Sequence, residues 1–240
     1  AFSKCSGFDG ELTLPKSLPY INNSIFFFCL KMRGDLVLPP QITSIGAHSF
    51  QNCEFLSGSL IIPENVTMIE EFSFSYCYGF TKKLILNDKL EIINEGAFQK
   101  CNDFTGKFTL PSSVRLIGAQ AFQECSKFSG SLVIPDSVTF LGNNAFEGCE
   151  GFNGNLTIPN TLRSINDRVF SGCIRLSGKL IIPDSVETIG SWSFLQCSKF
   201  KGNLIVPNSI KYIGDSAFYQ CTGFSGNLVI PDAVTSLGSY

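Results

Sequence analysis

The sequence predicts an α/β repeat solenoid of ten 24-residue units. A parallel β-sheet is expected on its concave side, with short helical or 3₁₀ turns on its convex side. The first observation behind this is the cysteine spacing. Ten cysteines in 240 residues stand at 5, 29, 53, 77, 101, 125, 149, 173, 197 and 221, always 24 apart. A fixed period of this size, kept over many copies, marks a stacked array and excludes one compact globule. The second is that the other apolar residues keep the same period. With each cysteine as position 0, Phe occupies −3 in all ten copies and +3 in seven, with Met32, Leu56 and Leu176 as the exceptions. The third is a short alternating segment, Gly-x-Leu-x-Ile-Pro, at +5 to +10. Position +5 is Gly except at Lys82, +7 is Leu except at Phe108, and +10 is Pro except at Asn87.

Each segment of the unit has a physical reading. The alternating segment is a strand, opened by a permissive Gly and stopped by Pro. Its +7 and +9 side chains point to one face, and +6 and +8 to the other. Position +8 is Val, Ile or Thr in every copy (Thr13, Val37, Ile61, Ile85, Thr109, Val133, Thr157, Ile181, Ile205 and Val229), which suits a strand better than a helix. Successive copies would stack about 4.8 Å apart as a ten-stranded parallel sheet. In Ala-Phe-x-x-Cys-x-x-Phe the apolar residues recur every third position, which suits one helical or 3₁₀ turn. Apolar positions at +13 and +16 complete the core.

Apolar residues make up 44% of the chain and charged residues 16%, below the roughly 25% of an average soluble protein. Core material is abundant, and nothing indicates disorder. With a net charge of −2 there is no basic field to favour nucleic acid. The densest apolar run, Ile25 to Leu30, is far shorter than a membrane span.

The pattern Phe-x-x-Cys-x-x-Phe…Leu-x-Ile-Pro-x-x-Val-x-x-Ile-Gly resembles the leucine-rich repeat of the Treponema or BspA-like type, found in oral bacteria and expanded in trichomonads. The resemblance covers the whole chain. The unit here is one residue longer than the family's usual one, and Pro replaces the asparagine ladder of ordinary leucine-rich repeats. The resemblance implies a curved leucine-rich-repeat solenoid in a cell-surface or secreted protein, binding host or partner proteins in adhesion. It implies no catalytic residues and no cofactor. The alternative is an intracellular structural scaffold in a filament or large assembly.

Two readings of the cysteines stand: a reduced, buried ladder beside the Phe columns, or disulfides and metal ligation between neighbours. Parallel stacking points the thiols the same way, and only one histidine, His48, is present. Both facts favour the reduced ladder. An enzyme is not expected. The glycines recur as turn residues rather than as a clustered phosphate loop, and the carboxylates scatter over variable columns. His48 reads as structural, although a pair with Cys53 is conceivable.

The candidate binding residues lie on the outward strand columns and around the least regular copy. Val37, Ile61, Ile85 and Val133 belong to an apolar row at +8, which reads either as a binding stripe or as neighbours shielding one another. Column +6 runs from acidic (Glu11, Asp35) through basic (Lys83, Lys107) to amide (Asn203, Asn227). The fourth copy lacks its Gly and Pro and gathers Lys82, Lys83 and Lys107 near Tyr76 and Tyr78. Aromatic and basic residues together are hot-spot chemistry. The other reading is an irregular repeat whose aromatics fill local gaps. Sequons at Asn22, Asn65 and Asn155 permit glycosylation if the chain is exported. Residues 1–240 form one solenoid. Neither end departs from the consensus as a capping repeat does, so a longer array or separate caps are expected, as is end-to-end self-association through uncapped ends.

Overall fold

In the computed structural model, which covers residues 1–240, the copies stack as a parallel β-solenoid. The longest ladder lies at +15 and +16, where residues 24 apart face each other. Met68–Ile69, Ile92–Ile93, Leu116–Ile117 and Phe140–Leu141 form one four-stranded parallel sheet. Ser164–Ile165, Thr188–Ile189, Tyr212–Ile213 and Ser236–Leu237 form a second. Single bridges from Ile21 to Ile45 and from Ile45 to Ile69 extend the first sheet towards the chain start.

The strand expected over +5 to +10 is present in part. Leu60–Ile61 pairs with Leu84–Ile85, and Leu132–Val133 with Leu156–Thr157, both in the 24-residue register. A third ladder at +2 to +6 is staggered: Arg33–Asp35 pairs with Phe55–Ser57, and Gly106–Lys107 with Phe128–Ser129. Its partners are 22 residues apart, so each copy slides by two residues there.

The Ala-Phe-x-x-Cys stretch, expected as a helical or 3₁₀ turn, is a run of hydrogen-bonded turns, and the chain contains no helix. The neighbouring copy is the reason. Alternate amides donate across the stack, Phe50 N–H to Ser73 O at 2.8 Å and Asn52 N–H to Ser75 O at 2.9 Å. Those between close local turns, such as Cys53 N–H to Phe50 O at 3.0 Å. An α-helix needs every such amide within its own coil. The backbone pattern is constant as well. Every non-glycine residue with positive φ lies either at −1 (for example Asn52 at 61°) or at +19, which is five residues before the next cysteine in each inner copy (His48 at 56°) and is Tyr240 at 68° in the last. In these two columns an L-residue sits in the left-handed region, at a cost of about 1 kcal/mol or more.

One core cluster of 60 buried residues runs along the solenoid. The −3 phenylalanines form an unbroken stack from Phe2 to Phe218, with ring centroids 5.3 to 6.3 Å apart. All ten cysteines are free, and the eight from Cys29 to Cys197 are buried. Their reason for being thiols is visible. From Cys29 onward each Sγ–H donates to the carbonyl of the −3 Phe in the preceding copy, at 2.9 to 3.2 Å. A small apolar side chain with one weak donor is what that column requires.

Candidate functional site

The outward columns lie over this core. Position +8 is exposed in all ten copies, while +7 and +9 on either side turn inward over most of the stack. Val37 is 73% exposed, Ile61 57%, Ile85 44% and Val133 53%. The row therefore stands in solvent despite the neighbours along the ladder. It is apolar in two blocks, Val37-Ile61-Ile85 and Ile181-Ile205-Val229, with Thr109, Val133 and Thr157 between them.

Column +6 is ordered by the glycine column. The side chain at +6 lies over the +5 Gly of the next copy: a Cβ on Gly58 would stand 2.6 Å from the Asp35 carboxyl, and one on Gly178 2.4 Å from Asn155 Oδ1. Gly58 and Gly178 also hold φ of 79° and 77°, so these two positions need glycine for two independent reasons. The +6 groups are thus set at fixed spacing along the face. Two hollows of about 920 and 450 Å³ open beside the first three copies and share Asp35, Val37, Leu38 and Pro40. Lys82 lines the second hollow with Ile61.

The structure separates the two halves of the fourth-copy cluster. Lys82, Lys83 and Lys107 are exposed on the +5/+6 columns. Tyr76 and Tyr78 sit at the turns, half-buried and packed edge to face at 6.1 Å, and the cation over Tyr76 is Lys100, at 5.3 Å. Burial raises the Tyr78 phenol above its ordinary value. The missing Pro is replaced by a built turn. Asn87 Nδ2 donates to Pro63 O and Val66 O, both at 2.8 Å, and its Oδ1 accepts the Lys89 amide. The copy is irregular in sequence and closed in structure.

Cys53 and His48 are not paired. Cys53 Sγ–H is committed to Phe26 O, while His48 stacks on Phe72 at 5.3 Å and turns Nδ1 to Gln51 Oε1 at 2.7 Å. Desolvation drives the thiols up, to about 12 at Cys101 and Cys173 and well above 9.0 at Cys77, Cys125, Cys149 and Cys197. At neutral pH they are protonated and unreactive. No helix is long and apolar enough to cross a membrane.

One exposed row is absent from the sequence-level candidates. On the +15 face of the longest sheet, Met68, Ile92, Leu116 and Phe140 stand in register, Met68 and Phe140 exposed and the two between them half-buried. The second sheet places Ser164, Thr188, Tyr212 and Ser236 in the same column. The available signal was the adjacency of +15 to the invariantly apolar +16, which assigns +15 to the outer face.

These features define a leucine-rich-repeat solenoid with outward columns of graded chemistry. The pattern of the BspA type leucine rich repeat region (6 copies) matches residues 1–129 and again 117–240, and the chain belongs to that family. No curated protein matches it. Among solved structures, a leucine-rich repeat protein from Bacteroides ovatus is similar at 23% identity, with a TM-score of 0.60, over 99% of this chain and 70% of that one. The T. pallidum leucine rich repeat protein matches at 23% identity, with a TM-score of 0.61, over 86% of this chain and 82% of its own. A leucine rich cell surface protein from Faecalibacterium prausnitzii matches at 23% identity, with a TM-score of 0.50, over 100% and 75%. At these identities the likeness shows the fold.

Proposed function

We propose that this chain is a non-enzymatic binding module of a cell-surface or secreted protein, engaging host or partner proteins in adhesion through the +6/+8 face of the solenoid. The observation that carries the reading is the +8 row, which is apolar in seven copies and exposed in all ten. Exposed apolar surface of this extent is otherwise removed from monomeric soluble proteins, and a solenoid offers it at fixed spacing. The bordering +6 column supplies charges and amides that discriminate between partners, as a polar rim does. Membership of the family, and the description of one structural relative as a cell surface protein, support the surface location.

The test uses substitutions the scaffold already accepts, because Thr occupies +8 in three copies. In the variant Val37→Thr, Ile61→Thr, Ile85→Thr and Val133→Thr, thermal melting stays within a few degrees, since exposed substitutions cost within about 0.5 kcal/mol each. Attachment of the fluorescently labelled protein to cultured animal cells falls by more than about tenfold, the loss of ~1.4 kcal/mol. Attachment that survives all four substitutions, or no attachment of the parent protein, overturns the reading.

A further inference from the structure

Columns +4, +5 and +6 of the second copy read Arg33-Gly34-Asp35. No other copy places a cation at +4 and an anion at +6; the first has Asp9 and Glu11, the third Ser57 and Ser59, and the ninth Lys201 and Asn203. The tripeptide is a strand with Arg33 and Asp35 exposed and Gly34 between them at φ 88°. It is held from both neighbours. The Arg33 amide donates to Gly10 O at 3.1 Å on one side, and the three residues pair with Phe55, Leu56 and Ser57 on the other. Gly34 is fixed in kind, because a Cβ there would stand 2.8 Å from Glu11 Cγ in a conformation L-residues avoid.

The two charged groups are unspent. Arg33 takes part in none of the seven ion pairs of the chain. Asp35 accepts one hydrogen bond, from Ser57 Oγ to Oδ1 at 2.8 Å, and Oδ2 has no partner. The two hollows that share Asp35 leave space for another molecule to reach its carboxylate from either side. Val37, the most exposed of the apolar members of the +8 row, lies two residues further on. Leu36 between them is buried and anchors the segment.

We propose that Arg33-Gly34-Asp35 is a recognition site for an adhesion receptor that reads guanidinium and carboxylate together: an acidic pocket for Arg33 and a receptor-bound divalent cation for Asp35. This deepens the adhesion reading above and rests on it. A guanidinium is the group best suited to bidentate pairing with a carboxylate, and the free Asp35 oxygen is the hard ligand that Mg²⁺ or Mn²⁺ takes. Ordering by the flanking copies removes much of the entropy cost that a flexible loop would bear on binding.

The probe is a purified integrin ectodomain that binds Arg-Gly-Asp peptides, immobilised in Mn²⁺, with residues 1–240 as analyte. Binding is expected that vanishes in EDTA, is displaced by a linear Arg-Gly-Asp peptide, and weakens more than about tenfold in Asp35→Glu, which keeps the charge and shifts the carboxylate by one methylene. Arg33→Gln weakens it similarly, and Lys179→Gln, at +6 in a distant copy, leaves it unchanged. Both Asp35 and Arg33 are exposed, and circular dichroism melts of their variants match the parent. Absent binding, cation-independent binding, or binding indifferent to Asp35→Glu overturns the inference. If attachment to cells is then still lost in the four-threonine variant, the adhesion reading survives without it; if the parent protein attaches to no cell, both fall.

Discussion

Replacing Phe98 by Ala tests the stacking that holds the solenoid together. Phe98 is fully buried, with the Phe74 ring 5.6 Å away on one side and the Phe122 ring 5.4 Å away on the other. A buried aromatic side chain hides roughly 150–250 Å². At about 25 cal/mol per Å² that is ~5 kcal/mol, of which Ala retains ~1.5. The two lost ring contacts add ~1 kcal/mol. The sum, ~4.5 kcal/mol, lies within the ~3–5 kcal/mol typical of Phe→Ala in cores. The neighbouring copies cannot collapse into the void, because the amide ladder fixes their separation. The internal control is Phe2→Ala in the same column. That ring stacks on Phe26 at 5.8 Å and meets Phe8 edge to face at 6.0 Å, but it is 44% exposed, so with about half the area removed from water about half the loss, ~2 kcal/mol, is expected. Urea unfolding followed by far-UV circular dichroism and by the fluorescence of Trp192, the single tryptophan, measures both. With m of about 3 kcal/mol/M, the Phe98→Ala midpoint falls by roughly 1.5 M. A loss below about 1 kcal/mol at Phe98, or equal losses at both positions, refutes nearest-neighbour stacking as the source of stability.

Two further outcomes follow from the thiol column. The folded thiols hold their protons to higher pH than the unfolded chain, with Cys101 and Cys173 near 12 against an ordinary 9.0. Their contribution to stability is therefore complete below about pH 9 and lost as the pH rises towards 12, by up to ~1.4 kcal/mol per thiol per unit. Melting temperatures should hold from pH 7 to 8.5 and fall steeply by pH 10.5; a flat profile contradicts the burial of the column. In native protein at pH 8, iodoacetamide should modify the half-buried Cys5, whose Sγ–H has no carbonyl partner, well before the nine cysteines from Cys29 to Cys221, as read by peptide mass mapping. Cys221 is half-buried too, but burial pushes its thiol up to about 12 and it donates to Phe194 O. Uniform labelling of all ten would mean that the stack opens readily.

The columns of the core were legible because each is written ten times, and repetition separates packing from noise. The ladders were less legible. Strand character was assigned to Gly-x-Leu-x-Ile-Pro on its alternation, yet the longest sheet forms around Ile69, Ile93 and Ile117, where a variable residue precedes a constant one. In a stacked array a ladder forms wherever equivalent backbones face each other, and intrinsic strand propensity has little say. The turns were legible in part, as local i→i+3 bonds such as Cys53 N–H to Phe50 O that do not continue as a helix. Their apolar spacing fits a helix, but the amides of Phe50 and Asn52 are claimed by the next copy. On the candidate face, exposure of Val37 and Ile61 was readable from parity alone. The parting of Tyr76 from Lys82 was not, since it depends on which corner of the coil each occupies.

The two left-handed columns bear on which sequences such an array can carry. Twenty positions fall in them, and those positions hold Lys, Ser, Phe, His, Asn, Tyr, Gln, Glu, Arg, Trp and Gly, but no Val, Ile, Thr or Pro. These columns are among the most varied in the unit, accepting charge, amide and indole alike. The tolerance ends at branching next to the backbone, the one property their dihedral angles forbid. Copies exchanged, duplicated or deleted in steps of 24 therefore meet the same left-handed angles in these two columns at every boundary. An array of this kind lengthens by recombination rather than by redesign, and its surface chemistry can diversify while the coil stays unchanged.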